Sequence, residues 1–210
     1  ITMAGTEVGS LKKEVEEAVG YNLEVIQTAT HDTASAVVAV PAEKDALYIS
    51  SCTWSLMGVE QPEANCSEES RRANLTNEGG YGYRYRFLKN IMGLWMIQSV
   101  RHEYGDAYSF AQLCGMAEEC GDFPSRVDVN DARFLAPESM IEAIRSVCGE
   151  TGQKVPETPG EMAAVIYRSL AESYRQTVKE IEDITGKSYE SIHIVGGGAN
   201  ADYLNRLTAQ

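Results

Sequence analysis

The sequence contains no apolar run approaching the roughly 18 residues that a membrane-spanning helix requires. It also lacks a basic-then-apolar N-terminal leader, so a cytoplasmic address is expected. Basic residues are scarce: 18 Lys and Arg stand against 31 Asp and Glu, for a formal net charge of −13. Binding nucleic acid by neutralising its backbone calls for the opposite balance, which argues against that class of partner. A nucleotide is still compatible with an acidic chain, because backbone N–H groups and a bound cation can neutralise its phosphates. The cysteines number five and form no C-x-x-C pair, which argues against a zinc site. Free thiols in a reducing compartment are the simpler reading. Cys114 and Cys120 are close enough in sequence to pair, but nothing demands it. Fixed-period repeats and low-complexity tracts are missing as well.

What is present is the composition of a folded domain, 43% hydrophobic and 23% charged over 210 residues. The opening Ile1-Thr2-Met3 and a closing run, 205–210, that reads as helix without a stop signal lead us to expect a piece of a longer polypeptide. Residues 11–20 carry Leu11, Val15 and Val19 at helical spacing, with Gly20 as terminator. Residues 23–29 (LEVIQTA) read as a buried strand. Residues 36–40 and 46–51 read as two more strands, joined in a hairpin through a turn at 41–45. Over 81–87, Tyr81, Tyr83, Tyr85 and Phe87 alternate with Gly82, Arg84 and Arg86, the pattern of a strand half-buried through its aromatic face.

The second half turns helical. Residues 91–103, 107–119 and 137–148 have helical apolar spacing, and 126–129 reads as a short extended piece. The strongest signal is a long helix from Pro159. Thr158 suits the N-cap, Pro159 the first position, and Glu161 completes a capping box. Met162, Ile166, Leu170, Tyr174, Val178 and Ile181 then trace one stripe, and Gly186 stops it. A strand at 191–195, three glycines and a helix starting near Asn200 follow. Antiparallel strands, then helix, strand, glycines and helix, predict an α/β domain with a mixed sheet flanked by helices.

Several short stretches could carry chemistry. His31-Asp32-Thr33 follows a predicted strand end, where α/β proteins gather ligands, and a carboxylate there can accept a hydroxyl proton. By local pattern alone, Asp32 as a turn cap is the commoner role. Ser50-Ser51-Cys52-Thr53-Trp54-Ser55 offers hydroxyls and amides suited to phosphate oxygens, or merely an ordinary strand edge. Gly196-Gly197-Gly198 lies between strand and helix, where glycines permit close backbone approach, although many such turns need glycine for geometry alone. It matches neither the dinucleotide fingerprint nor the P-loop. Asn90 and Gln98 flank the start of an apolar helix and could read a ligand, or serve as a cap and a solvent-facing residue. His102 and His193 have no metal-ligand spacing to a partner and read as structural.

Taken together, three of these stretches resemble one family. Residues 29–37 (ATHDTASAV), residues 74–80 (NLTNEGG) with 86–95 (RFLKNIMGLW), and residues 192–200 (IHIVGGGAN) are similar, in order, to segments of the rhamnulokinases. These belong to the FGGY carbohydrate kinases, within the actin-like ATPase (ribonuclease H-like) fold. The resemblance implies an ATP-dependent kinase acting on O1 of L-rhamnulose, with Mg²⁺ bridging the phosphates. Asp32 would be the catalytic base, with His31, Thr33 and Asn90 beside the sugar. Thr53 would approach the ATP phosphates, Gln98 would contact the nucleotide, and Gly197 would lie in the adenosine-binding turn. It also implies that residues 1–28 are the tail of an N-terminal domain with the interdomain segment, and that 29–210 is a truncated C-terminal domain. The partner would then be the rest of the same polypeptide. Cys52 departs from the pattern, since members usually carry glycine before the threonine. The alternatives are another ketose or polyol kinase of the family, such as a xylulokinase or fuculokinase, and a non-catalytic actin-like nucleotide-binding module.

Overall fold

The computed structural model describes residues 2–28, 32–40 and 46–210, with the side chain of Asp32 outside that description. The proposed turn at 41–45 and His31 therefore lie outside the described residues. The architecture is a mixed sheet covered by helices, as the pattern predicted. In chain order the elements are β1 (Glu7–Ser10), α1 (Lys13–Val19), β2 (Glu24–Ile26), α2 (Asp32–Val38), β3 (Leu47–Ser51), β4 (Trp54–Gln61) and α3 (Glu68–Arg72). They continue with β5 (Thr76–Gly79), β6 (Tyr85–Met92), α4 (Trp95–Glu103), α5 (Phe110–Glu119), α6 (Met140–Glu150), α7 (Pro159–Thr185), β7 (Ile192–Val195) and α8 (Asp202–Thr208). The main sheet has the order β5-β6-β4-β3-β7, with β7 parallel to β3 and the other pairs antiparallel.

Helix α7 dominates the core, and local chemistry explains its limits. The Thr158 hydroxyl accepts from the Glu161 amide, while the Glu161 carboxylate accepts from the Thr158 amide. Gly186 ends the helix in the left-handed conformation at φ 66°. Met162, Ile166, Leu170, Tyr174 and Ile181 are all buried, so the predicted stripe is the packing face. Each such burial stabilises by about 1.5–3 kcal/mol. The facing side of the sheet presents Leu47, Ile49, Met57, Val59, Phe87 and Ile91, which share a face by the strand register. Two polar links tie helix to sheet: the Ser55 and Tyr174 hydroxyls lie 2.6 Å apart, and Lys89 Nζ is 2.7 Å from the Glu180 carboxylate.

The opposite face of the sheet is also covered. Tyr48 and Leu88 point there and are buried, and α2 packs against β3 and the turn at 81–83. This overturns the strand expected at 36–40. Three valines in five residues suggested β structure, but the buried side chains Ala34 and Val37 are three apart, the spacing of one helical face. The expected hairpin fails with it, because β3 pairs with β4 through a tight turn at Cys52 and Thr53.

Further expectations need correction. Residues 24–26 do form a strand, but β2 pairs only with β1 in a separate two-stranded sheet, and its side chains are exposed. Tyr81–Tyr83 form a 3₁₀ turn, with Gly82 and Tyr83 at positive φ. In β6, Phe87 is buried as expected, but Arg86 is buried too and Tyr85 is exposed, against the predicted alternation. The Arg86 guanidinium meets Glu78 Oε2 at 2.8 Å, and with both sheet faces covered, alternation loses its meaning. Residues 91 and 92 complete β6, so α4 begins after Gly93, and residues 126–129 take no regular strand. All five cysteines are free thiols, Cys114 and Cys120 included. Among the described residues, no helix is long and apolar enough to cross a membrane.

Ser55 is fully buried and Tyr174 is 1% exposed. Tyr174→Phe therefore strands the Ser55 hydroxyl and is expected to lower unfolding free energy by about 1–3 kcal/mol in urea denaturation. The double variant with Ser55→Ala should recover part of that loss, and a midpoint equal to the wild type for the single variant would disprove the link.

Candidate nucleotide pocket

The turn between β3 and β4 is held from two sides. On one side it completes the start of α4: the Leu94 and Trp95 amides donate to the Cys52 and Thr53 carbonyls, each at 3.0 Å. Two of the donors that a helix N-terminus leaves without intrahelical partners are thereby satisfied. This fixes Thr53 over the first turn of α4, where its hydroxyl donates to Gln98 Oε1 at 3.5 Å.

On the other side lie the three glycines after β7. Gly196 has φ +87°, and a Cβ there would stand 2.8 Å from both Cys52 Sγ and the Ser51 carbonyl oxygen. A Cβ on Gly198 would stand 1.9 Å from Ser51 Oγ and 2.5 Å from its Cβ. These two glycines exist because the backbone runs directly against the β3–β4 turn. Gly197 differs: a Cβ there meets nothing within 4 Å, so its backbone faces open space. The need for glycine on grounds of geometry alone thus holds at Gly196 and Gly198, while Gly197 leaves an open stretch of backbone. Cys52 takes no left-handed φ, so its side chain needs no strained backbone, and its thiol is exposed.

Between these walls is a cavity of about 380 Å³. Thr53, Gln98, Gly197 and Asn200 supply polar groups, and Leu94, Ile97, Phe110, Cys114, Tyr167 and Ala201 supply a mainly apolar remainder. Its size and few convergent polar groups suit one small-molecule moiety. Burial pushes the Tyr167 phenol well above its usual range, with the neighbouring Cys114 adding to the effect, so the floor stays neutral. Among the described residues, no group of three or more His, Cys, Asp and Glu could hold a metal ion.

The residues singled out from the sequence fall into two sets. Thr53, Gln98 and Gly197 come together on this cavity, though Thr53 and Gln98 are 45 residues apart. Asn90 is not a helix cap; it stands exposed on β6, opposite Leu56 of β4, and does not line the cavity. Thr33 lies in the first turn of α2, half-buried, and Asp32 opens that helix. By register, Asn90 occupies the face opposite that of Ile91 and Phe87, the side of the sheet that α2 covers. Phe110, Cys114, Tyr167 and Asn200 were not expected from the sequence to line a pocket. The Ser109 cap marks the start of α5, but nothing local shows which of its side chains would reach a cavity.

A mixed sheet flanked by helices, with a polar turn and a glycine turn meeting at one end, defines an α/β domain. The solved structures it superposes on agree. A xylulose kinase from Rhodospirillum rubrum matches with TM-score 0.66 and 17% identity, over 99% of this chain and 42% of that one. A carbohydrate kinase from Novosphingobium aromaticivorans matches with TM-score 0.65 and 18% identity, over 100% and 44%. Residues 47–210 match the C-terminal domain of the FGGY family of carbohydrate kinases, and the chain belongs to that family. Rhamnulokinases are among its relatives: that of Halalkalibacterium halodurans is 54% identical over 209 residues, and that of Bacillus subtilis 46% identical over 213. Each alignment takes in 100% of this chain and 44% of the relative, so the chain spans less than half the length of these curated proteins.

The glycines make separate predictions. Gly198→Ala should destabilise the fold by about 1–3 kcal/mol through overpacking against Ser51. Gly197→Ala should melt within about 1 °C of the wild type, since its Cβ enters open space. Calorimetric melting of both variants checks this, and equal melting temperatures would contradict the assignment.

Proposed function

We propose that this chain forms the C-terminal, nucleotide-binding part of a kinase that transfers the γ-phosphate of ATP to O1 of L-rhamnulose. The observation that carries the reading is the convergence of Thr53, Gln98 and Gly197 on one cavity at the end of the sheet. Identity of 54% to a rhamnulokinase across the whole chain supports the choice of sugar.

The division of labour follows from the chemistry. Phosphoryl transfer asks a protein mainly for alignment and charge stabilisation, with one carboxylate placed to take the hydroxyl proton. Asp32 is that base in this reading: its carboxylate accepts the O1 proton as the oxygen attacks the γ-phosphorus. His31, Thr33 and Asn90 hold the sugar. Thr53 meets the phosphates, Gln98 contacts the nucleotide, and the open backbone at Gly197 receives adenosine. Mg²⁺ would be carried by phosphate oxygens and water, the usual habit of that ion, which fits a pocket whose polar groups are hydroxyls, amides and backbone.

Residues 1–28 belong, in this reading, to the tail of an N-terminal domain and the interdomain segment, with 29–210 forming the C-terminal domain. Helix α1 buries no residue, and Val8, Val15, Val19, Leu23 and Ile26 are all exposed, as expected of a segment whose partner lies elsewhere in the polypeptide.

Two measurements test the proposal. In the complete enzyme, Asp32→Asn should lower kcat by about 10²–10⁴-fold while KM for L-rhamnulose changes little. Turnover within threefold of the wild type would exclude Asp32 as the base. The 210-residue chain alone should release no rhamnulose-dependent ADP in a coupled assay, and normal turnover there would refute the two-domain reading.

A further inference from the structure

Phe110 lines the cavity without a role in the proposed ligand contacts, and the inference drawn from it rests on the nucleotide reading above. Phe110 is the first residue of α5 and is 46% exposed. Its backbone is fixed, because Ser109 and Gln112 form a reciprocal capping box at that helix end. Its ring is also held. The Arg101 guanidinium carbon lies over the ring, 5.1 Å from the centroid. Arg101 in turn is anchored by Asp106 Oδ1 at 2.7 Å and by the Tyr108 carbonyl at 2.8 Å. A cation over one side of an aromatic ring, fixed by two further bonds, leaves the remaining surface of that ring to the cavity. Tyr167, the other aromatic residue lining the cavity, is 1% exposed and packed edge-on against Tyr203, so it has no free face to offer.

We infer that Phe110 is the shelf on which the purine base of the bound nucleotide stacks, with Arg101 as the positioning residue beneath it. Every base has a π-face, so such a shelf binds without reading hydrogen-bond edges, and the apolar walls from Leu94 and Ile97 suit the same flat ligand. Preorganisation of the ring by Arg101 lowers the entropy lost when the base docks.

The test is calorimetric titration of the intact protein with ADP and with tripolyphosphate, a probe carrying the phosphates without a base. Phe110→Leu keeps apolar bulk but removes the π-face, and is expected to weaken ADP binding about tenfold or more while leaving tripolyphosphate unchanged. Phe110→Trp restores a stacking face and should bind ADP within about threefold of the wild type. Unchanged ADP affinity in Phe110→Leu, alongside a loss in Thr53→Ala, overturns the shelf and leaves the nucleotide site standing. Equal weakening of both probes in Phe110→Leu also overturns it, because the ring then acts only by packing. No ADP binding by the wild-type protein removes the shelf and the nucleotide reading together.

Discussion

The structure turns on the close approach of two backbone turns. The glycine turn after β7 lies directly against Ser51 and Cys52, near enough that a single carbon on Gly196 or Gly198 would collide. Nothing between the turns fills that contact, so they act as one rigid lip. The parallel pairing of β7 with β3 brings the turns to the same end of the sheet. The cavity begins where the lip ends. Gly197, between the two crowded glycines, is left facing outward, and Thr53 extends beyond the crowded stretch toward α4.

The helices secure this arrangement from behind. Helix α7 spans the inner face of the sheet and is pinned to it by the Ser55–Tyr174 and Lys89–Glu180 contacts, so the strands carrying the turns cannot slide against the core. Helix α4 is joined to the β3–β4 turn through amides that its own first turn leaves unused. Helix α5 contributes Phe110 and Cys114, and α7 contributes Tyr167.

If the cavity takes a nucleotide as proposed, its apolar and polar lining residues divide the binding task. A base gains little from hydrogen bonds in a mainly hydrophobic chamber, and much from contact area and stacking. Phosphates need donors, which the hydroxyl and amides at the rim can supply. In the proposed reading, this division is how a chain of net charge −13 would hold a polyanion. Recognition would be local and geometric, and a basic field is unnecessary.

Sequence alone determined the features governed by neighbours within about four residues. The limits of α7 were legible because its cap, first-position proline, stripe and terminal glycine each act locally, and so was the strand–glycine–helix unit at 192–208. The family was legible because its motifs are contiguous. Only tertiary structure decided the rest. Residues 32–38 became helix because their burial against β3 selects residues three apart. Arg86 went inside because both faces of β6 are covered and Glu78 meets its charge. Phe110 and Tyr167 reached the cavity through the packing of separate helices, α5 and α7. No local pattern encodes such meetings, since they depend on which segments the whole chain brings side by side.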